Sequence, residues 1–196
     1  MSDTKIADAG AAGWIGLSVA AIMAGAFLCG FVGPKSLLLM ACISLACWVA
    51  YMGAAITQLK LGNAAGGITW LYFGAFFAFG AALNYAVSYF APIYHWDLDP
   101  KIIGIEWAII TVILVLTTPL FVKYAPAAGS IAIIAADVGL AALALIYLGF
   151  ASPFMFQLSG WALIITGVLA IIMGAGGILT SAGMAFPLMG KPLIKS

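Results

Sequence analysis

The chain has 196 residues, of which 66% are hydrophobic and 7% are charged, and its mean hydropathy is +1.22. Soluble domains carry about 25% charged residues, so this composition excludes a soluble globular protein and indicates a polytopic membrane protein. The formal net charge of +1 comes from lysines and acids without any arginine, which excludes nucleic acid as a partner.

Six apolar segments, each long enough to cross a bilayer, are separated by charged, glycine-containing or proline-containing breaks. We predict membrane-spanning helices at residues 13–32, 37–57, 68–91, 102–122, 130–150 and 160–184. The fold class is therefore all-α, with one transmembrane domain over residues 1–196, a short N-terminal segment 1–12 and a C-terminal tail 186–196. No cleavable signal is evident, because the polar start leads directly into a full-length span.

The lysines predict how these spans are oriented. With six spans, both termini lie on one side of the membrane, and the lysines on that side outnumber those on the other: Lys5, Lys60, Lys123, Lys191 and Lys195 against Lys35 and Lys101. The positive-inside rule then predicts cytoplasmic termini in a multi-pass protein of the plasma membrane. The absence of targeting features favours a prokaryotic membrane.

Small residues recur every four positions in the first three spans, where smooth faces allow helix backbones to approach closely. The rows are Gly16, Ala20 and Ala24; Ala46, Ala50 and Ala54; and Gly74, Ala78 and Ala82. Gly62 and Asn63 within residues 61–63, and the glycines of residues 174–177, would allow a helix to start late or to unwind within protein. An inverted repeat, with the first three spans matching the last three, remains open.

Groups that could support catalysis are few. The single histidine, His95, lies near Asp97 and Asp99 in a predicted loop, which we interpret as a solvated cluster rather than a metal site. The predicted spans contain no paired aspartates, no serine with histidine and no zinc motif. We therefore predict no enzyme activity, no cofactor and no metal, and interpret the three cysteines as core residues.

Three polar residues lie within the predicted spans. Asp137 is well inside the fifth span, where a carboxyl group costs about 2.5 to 3.5 kcal/mol to insert, so it is either functional or a structural tie. Glu106 follows Lys101 by about one helical turn and is interpreted as an interfacial acid. Asn84 is either a polar contact for substrate or an interhelical hydrogen bond.

A longer pattern extends across the third and sixth spans. Residues 60–66 read KLGNAAG and residues 70–77 read WLYFGAFF, while Ser159, Gly160 and Trp161 precede Gly167 and Gly174. This pattern resembles the acetate uptake transporter family, which includes bacterial succinate-acetate permeases. Phe73 stands where that family usually has tyrosine, Phe77 replaces a tryptophan, and residues 8–14, DAGAAGW, lack the prolines and amide of the family's first-span motif.

The resemblance implies six helices per protomer, a ring-shaped hexamer, and a monocarboxylate pathway through each protomer that a hydrophobic constriction closes. It implies that Leu17 and Phe73 line this constriction, together with a fifth-span residue between positions 135 and 137, which is Ala135, Ala136 or Asp137. If it is Asp137, this pore carries a charge where relatives are apolar, and we predict that this carboxyl couples transport to protons.

The expected function is transport of acetate or a similar small carboxylate, as a proton-coupled carrier or an anion channel. No lysine is predicted deep in the bilayer, so the substrate would meet amides, hydroxyls and helix N-termini. The expected substrate-binding residues are Gly62, Asn63, Gly66 and Asn84. Alternatives are a urea or short-amide channel and a non-transporting subunit of a membrane complex.

Overall fold

Six long helices dominate the computed structural model, which describes residues 7–194. They are Gly10–Leu28 (α1), Pro34–Lys60 (α2), Ala64–Tyr94 (α3), Lys101–Tyr124 (α4), Ala127–Phe150 (α5) and Pro153–Ser181 (α6). Each is long and apolar enough to cross a membrane, which confirms the predicted all-α fold with six spans. Lys5 and Lys195, which entered the lysine count, lie outside the described residues.

The start of α6 differs most from the sequence-based boundary. This helix begins at Pro153 rather than at Gly160. Ser152 accepts a hydrogen bond from the Met155 backbone N–H at 3.2 Å and so caps the helix. Proline at the first helical position needs no hydrogen-bond partner for its nitrogen, so the proline that suggested a break instead starts the helix.

The helices pack in chain order around a central axis. Extensive contacts join α1 to α2, α2 to α3, α4 to α5, α5 to α6, and α6 back to α1. Between α3 and α4, Phe77 packs edge-on against Trp107, with ring centroids 5.7 Å apart. Because successive helices alternate in direction, α1 begins and α6 ends on the same side, here named the termini side; the opposite is the far side.

Glycines allow the closest helix contact, between α1 and α6. A Cβ atom added to Gly25 would lie 2.5 Å from the Gly160 carbonyl oxygen, and one on Gly167 would lie 2.9 Å from the Ser18 carbonyl oxygen. Residues 174–177 are α-helical and do not unwind. A Cβ atom on Gly177 would lie 2.8 Å from Ala11 Cβ, so this glycine too lies against α1. These glycines therefore serve close backbone packing.

The small-residue rows have different environments. Those of α1 and α3 are buried in the bundle, as Ala20 at 3% exposure and Ala78 at 0% illustrate. In α2, Ala46 is exposed while Ala54 is buried, so that row turns partly outward. Two of the three rows therefore pack within the protomer.

The middle of α3 is a π-helix, Phe73–Gly80. Such segments are rare, occur mostly within α-helices, and are frequent at functional sites. This one keeps Phe73 and Phe77 buried, at 1% and 6% exposure. It therefore directs two aromatic rings to the centre of the bundle.

Candidate transport pathway

Two cavities open into the bundle from opposite sides. The termini-side cavity has a volume of about 420 Å³, and its lining includes Asp8, Trp14, Gln58, Asn63 and Phe73. The far-side cavity has a volume of about 160 Å³, and its lining includes Asn84, Tyr85, Ser88, Trp107 and Tyr147. Together they cover the two ends of a path along the bundle axis.

Apolar side chains fill the space between the cavities. Phe73 lines the termini-side cavity and Trp107 lines the far-side cavity. Phe77 connects them, with its ring centroid 6.1 Å from that of Phe73 and 5.7 Å from that of Trp107. These three residues, called the aromatic barrier below, belong to one buried cluster with Leu17, which is 1% exposed.

Polar groups at the termini-side cavity are organised by the turn between α2 and α3. Gly62 has φ of +80°, a left-handed conformation that glycine adopts without steric cost, and it ends α2. The Asn63 side chain then accepts a hydrogen bond from the Gly66 N–H at 3.1 Å. Asn63 is therefore the N-cap of α3.

The Asn63 cap continues into a chain of side-chain hydrogen bonds. Asn63 Nδ2 donates to Gln58 Oε1, and Gln58 Nε2 donates to Asp8 Oδ1. Asp8 Oδ1 also accepts from the Gly10 N–H at 2.7 Å. We call Asn63 and Gln58 the amide relay; Gln58 is only 7% exposed, whereas Asp8 lies exposed at the cavity rim.

Gly66 leaves the space that the amide relay occupies. A Cβ atom on Gly66 would lie 2.7 Å from Asn63 Nδ2 and 3.0 Å from Gln58 Oε1. The sequence analysis missed Gln58 because it adjoins a predicted helix end and looks like part of a polar break. Its position one helical turn before the Gly62–Asn63 turn was the available signal.

The predicted substrate-binding residues separate into two groups. Asn63 and Gly66 line the termini-side cavity, beside the turn that Gly62 makes. Asn84 lines the far-side cavity instead. The structure therefore does not bring all four residues together at one site.

The three candidate residues in α5 have different surroundings. Ala136 is 3% exposed and belongs to the buried cluster that contains Leu17 and Phe73, while Ala135 is half-buried. Asp137, also half-buried, faces α4, where Thr118 Oγ1 donates to Asp137 Oδ2 at 2.7 Å. It is absent from the linings of both described cavities.

The other acidic residues of the described range 7–194 lie toward the far side. Glu106 is half-buried and lies beside Asn84, next to the far-side cavity. His95, Asp97 and Asp99 are exposed, and Asp99 Oδ1 accepts a hydrogen bond from the Lys101 N–H at 3.0 Å at the start of α4. No three metal-ligating side chains come together within residues 7–194.

The arrangement of six helices around this path matches a known architecture. A solved structure of the bacterial acetate channel SatP superimposes with a TM-score of 0.79, covering 92% of this chain and 97% of that chain. This chain has the SatP fold. The two sequences are 18% identical, so the likeness concerns the fold, and it confirms the fold that the family resemblance implied. No family model and no curated protein matches the sequence.

Proposed function

We propose that this protein transports acetate or a similar small monocarboxylate across a membrane, along the path between its two cavities. The observation that carries the proposal is the pair of cavities on opposite sides of the aromatic barrier. The SatP fold supports the choice of substrate, since that neighbour is an acetate channel.

The chemistry of the termini-side cavity suits a weakly held anion. Its lining combines amide side chains with aromatic rings and includes no lysine among residues 7–194. Amide and backbone N–H groups donate hydrogen bonds to a carboxylate, and the N-terminus of α3 adds a positive dipole end. Binding of this kind lets the substrate enter and leave quickly, as transport requires.

The aromatic barrier would control passage. Apolar constrictions close a path by excluding water, and we assign this role to Phe73 of the barrier together with Leu17. Of the three candidate α5 residues, Ala136 shares their buried cluster, and we add it to the constriction. Asp137 contributes through proton coupling from its position between α4 and α5. A proton-coupled carrier depends on a pH gradient, whereas an anion channel does not, so transport with and without a gradient separates the two mechanisms.

The proposal includes a hexamer in the plasma membrane with cytoplasmic termini. Many apolar side chains on the outer face of α4 are exposed, such as Ile102 at 68% and Leu116 at 74%, and require lipid or another protomer as cover. Native mass spectrometry in detergent should detect a hexamer, and monomer alone would contradict it. Cysteine substitutions at Ser2 and Ser196 should not react with impermeant reagents outside intact cells.

Uptake by the purified protein in liposomes tests the function directly. Labelled acetate should enter, and unlabelled acetate or propionate should compete. Conduction of urea without competition by acetate would instead identify an amide channel. Failure to move either solute, by protein that elutes as a single species, would favour a non-transporting subunit.

A further inference from the structure

We propose that the buried amide of Gln58 binds the substrate carboxylate at the termini-side cavity, and that the Asp8 carboxylate competes for that amide. The proposal rests on the proposed function and assigns its first binding contact. It starts from a direct observation, which is that Gln58 Nε2 already donates to a carboxylate oxygen, that of Asp8. Both residues line the cavity.

The hydrogen-bond order determines which end of the Gln58 amide faces the cavity rim. A helix N-cap must accept from a backbone N–H, so Asn63 uses its oxygen on Gly66 and has only its NH2 group left for Gln58. Gln58 must then present its oxygen to Asn63 and its NH2 group to Asp8. The hydrogen bond at the α3 N-terminus therefore fixes the orientation of both amides, so that the NH2 group of Gln58 faces Asp8.

This order makes Asn63 a positioning residue. The structure engages both polar ends of its side chain, whereas the NH2 group of Gln58 has two hydrogens and meets a carboxylate at the rim. Gln58 is 7% exposed, and a buried amide has few competing water contacts. Its NH2 group is therefore a suitable carboxylate donor inside the bundle.

The rim position of Asp8 makes displacement feasible. Asp8 is exposed and lies just before α1, held by hydrogen bonds from Gln58 and the Gly10 N–H. An incoming carboxylate can replace Asp8 at Gln58 because it offers the same acceptor group.

A double-mutant cycle on acetate uptake in liposomes tests the competition. Asp8→Ala should lower the acetate KM about tenfold, equivalent to about 1.4 kcal/mol. Gln58→Met, which keeps length and removes the NH2 donor, should raise the KM. In the double variant, the gain from Asp8→Ala should disappear, because there is no amide left to release.

Further variants separate competition from simple repulsion and from misfolding. A KM decrease for Asp8→Ala that persists in the Gln58→Met background would overturn the proposal and indicate charge repulsion alone. Asp8→Asn keeps the side-chain oxygen but weakens it as an acceptor, so it should give a smaller decrease in KM than Asp8→Ala. It is the variant to use if Asp8→Ala folds poorly. Asn63→Ser retains a good N-cap and loses the contact to Gln58, so it should raise KM without loss of thermal stability.

The outcomes also distinguish this inference from the proposed function. Wild-type protein that moves no acetate would defeat the proposed function itself. Wild-type protein that transports acetate, with unchanged KM in folded Asp8→Ala and Gln58→Met variants, would defeat only the assignment of Gln58 and Asp8.

Discussion

The amide relay and the aromatic barrier are neighbouring parts of one path, but they are built differently. The relay is held by hydrogen bonds that start at a helix cap and end at an exposed carboxylate. The barrier is held by ring packing, with centroids about 6 Å apart. Directional bonds suit recognition of a carboxylate, while packed rings suit exclusion of water and ions, so we propose that the relay selects the substrate and the barrier closes the path.

The largest expected effect comes from opening the barrier. Phe73→Ala should increase acetate flux about tenfold, which corresponds to about 1.4 kcal/mol of barrier height, and should admit larger carboxylates. It should also cost roughly 3 to 5 kcal/mol of stability, because it leaves a cavity. Flux of acetate and of a four-carbon carboxylate into liposomes measures the change.

Phe76→Ala is the matched control on the same helix, since Phe76 is 40% exposed and faces away from the core. It should leave flux and selectivity unaltered. If folded Phe73→Ala protein behaves like this control, the constriction lies elsewhere on the path.

A smaller effect is expected from crowding the amide relay. Gly66→Ala places a Cβ 2.7 Å from Asn63 Nδ2, so the relay must shift, at a cost of about 1 to 3 kcal/mol. Acetate KM should rise while the size selectivity set by the barrier stays constant. Competition assays with acetate and larger carboxylates measure both quantities.

Gly53→Ala is the control for replacing a helical glycine with alanine away from the amide relay. Apart from its own helical turn, no atom of the described residues lies within 4 Å of a Cβ at Gly53. Alanine there should therefore stabilise by about 0.4 to 1 kcal/mol without altering KM. An identical KM in both variants would show that the relay tolerates displacement and does not contact substrate.

The sequence predicted the number of spans well because lipid imposes long apolar segments on every crossing helix. It could not predict the relay, since Gln58 meets Asp8 only when the ends of α1 and α2 come together. It also could not determine which α5 residue faces the barrier. Positions 135 to 137 differ by rotation about the helix axis. Only the packed structure shows that Ala136 lies in the core and that Asp137 contacts α4.

Asp137 lies outside both regions and is expected to affect pH dependence rather than affinity. Its ionised form repels an anion electrostatically even from outside the cavity linings, while its neutral form does not, so uptake should rise as external pH falls. Asp137→Asn should retain transport and reduce this dependence, measured at matched acetate-anion concentrations. Thr118→Val removes the hydrogen bond to Asp137 but keeps the carboxyl, so uptake should remain pH-dependent with a shifted midpoint. Equal profiles for Asp137→Asn and wild type would make Asp137 structural.

The smallest expected effect concerns a polar group beside the barrier. Tyr51 is 0% exposed and packs against Phe73, with centroids 6.3 Å apart, yet its hydroxyl has no hydrogen-bond partner within residues 7–194. A buried unpaired hydroxyl is destabilising, so Tyr51→Phe should raise the free energy of unfolding by about 1 kcal/mol. Thermal denaturation in detergent measures the change.

Ser159→Ala is the informative counterpart, because Ser159 is equally buried but donates to the Gly139 carbonyl at 2.8 Å, joining α6 to α5. Loss of that bond should lower stability by about 0.6 kcal/mol. If Tyr51→Phe raises the free energy of unfolding and Ser159→Ala lowers it, packing rather than hydrogen bonding stabilises the barrier region at Tyr51. A loss of stability in Tyr51→Phe would mean instead that a bound water satisfies the Tyr51 hydroxyl. The barrier region would then depend on hydrogen bonding at this residue, as the amide relay does.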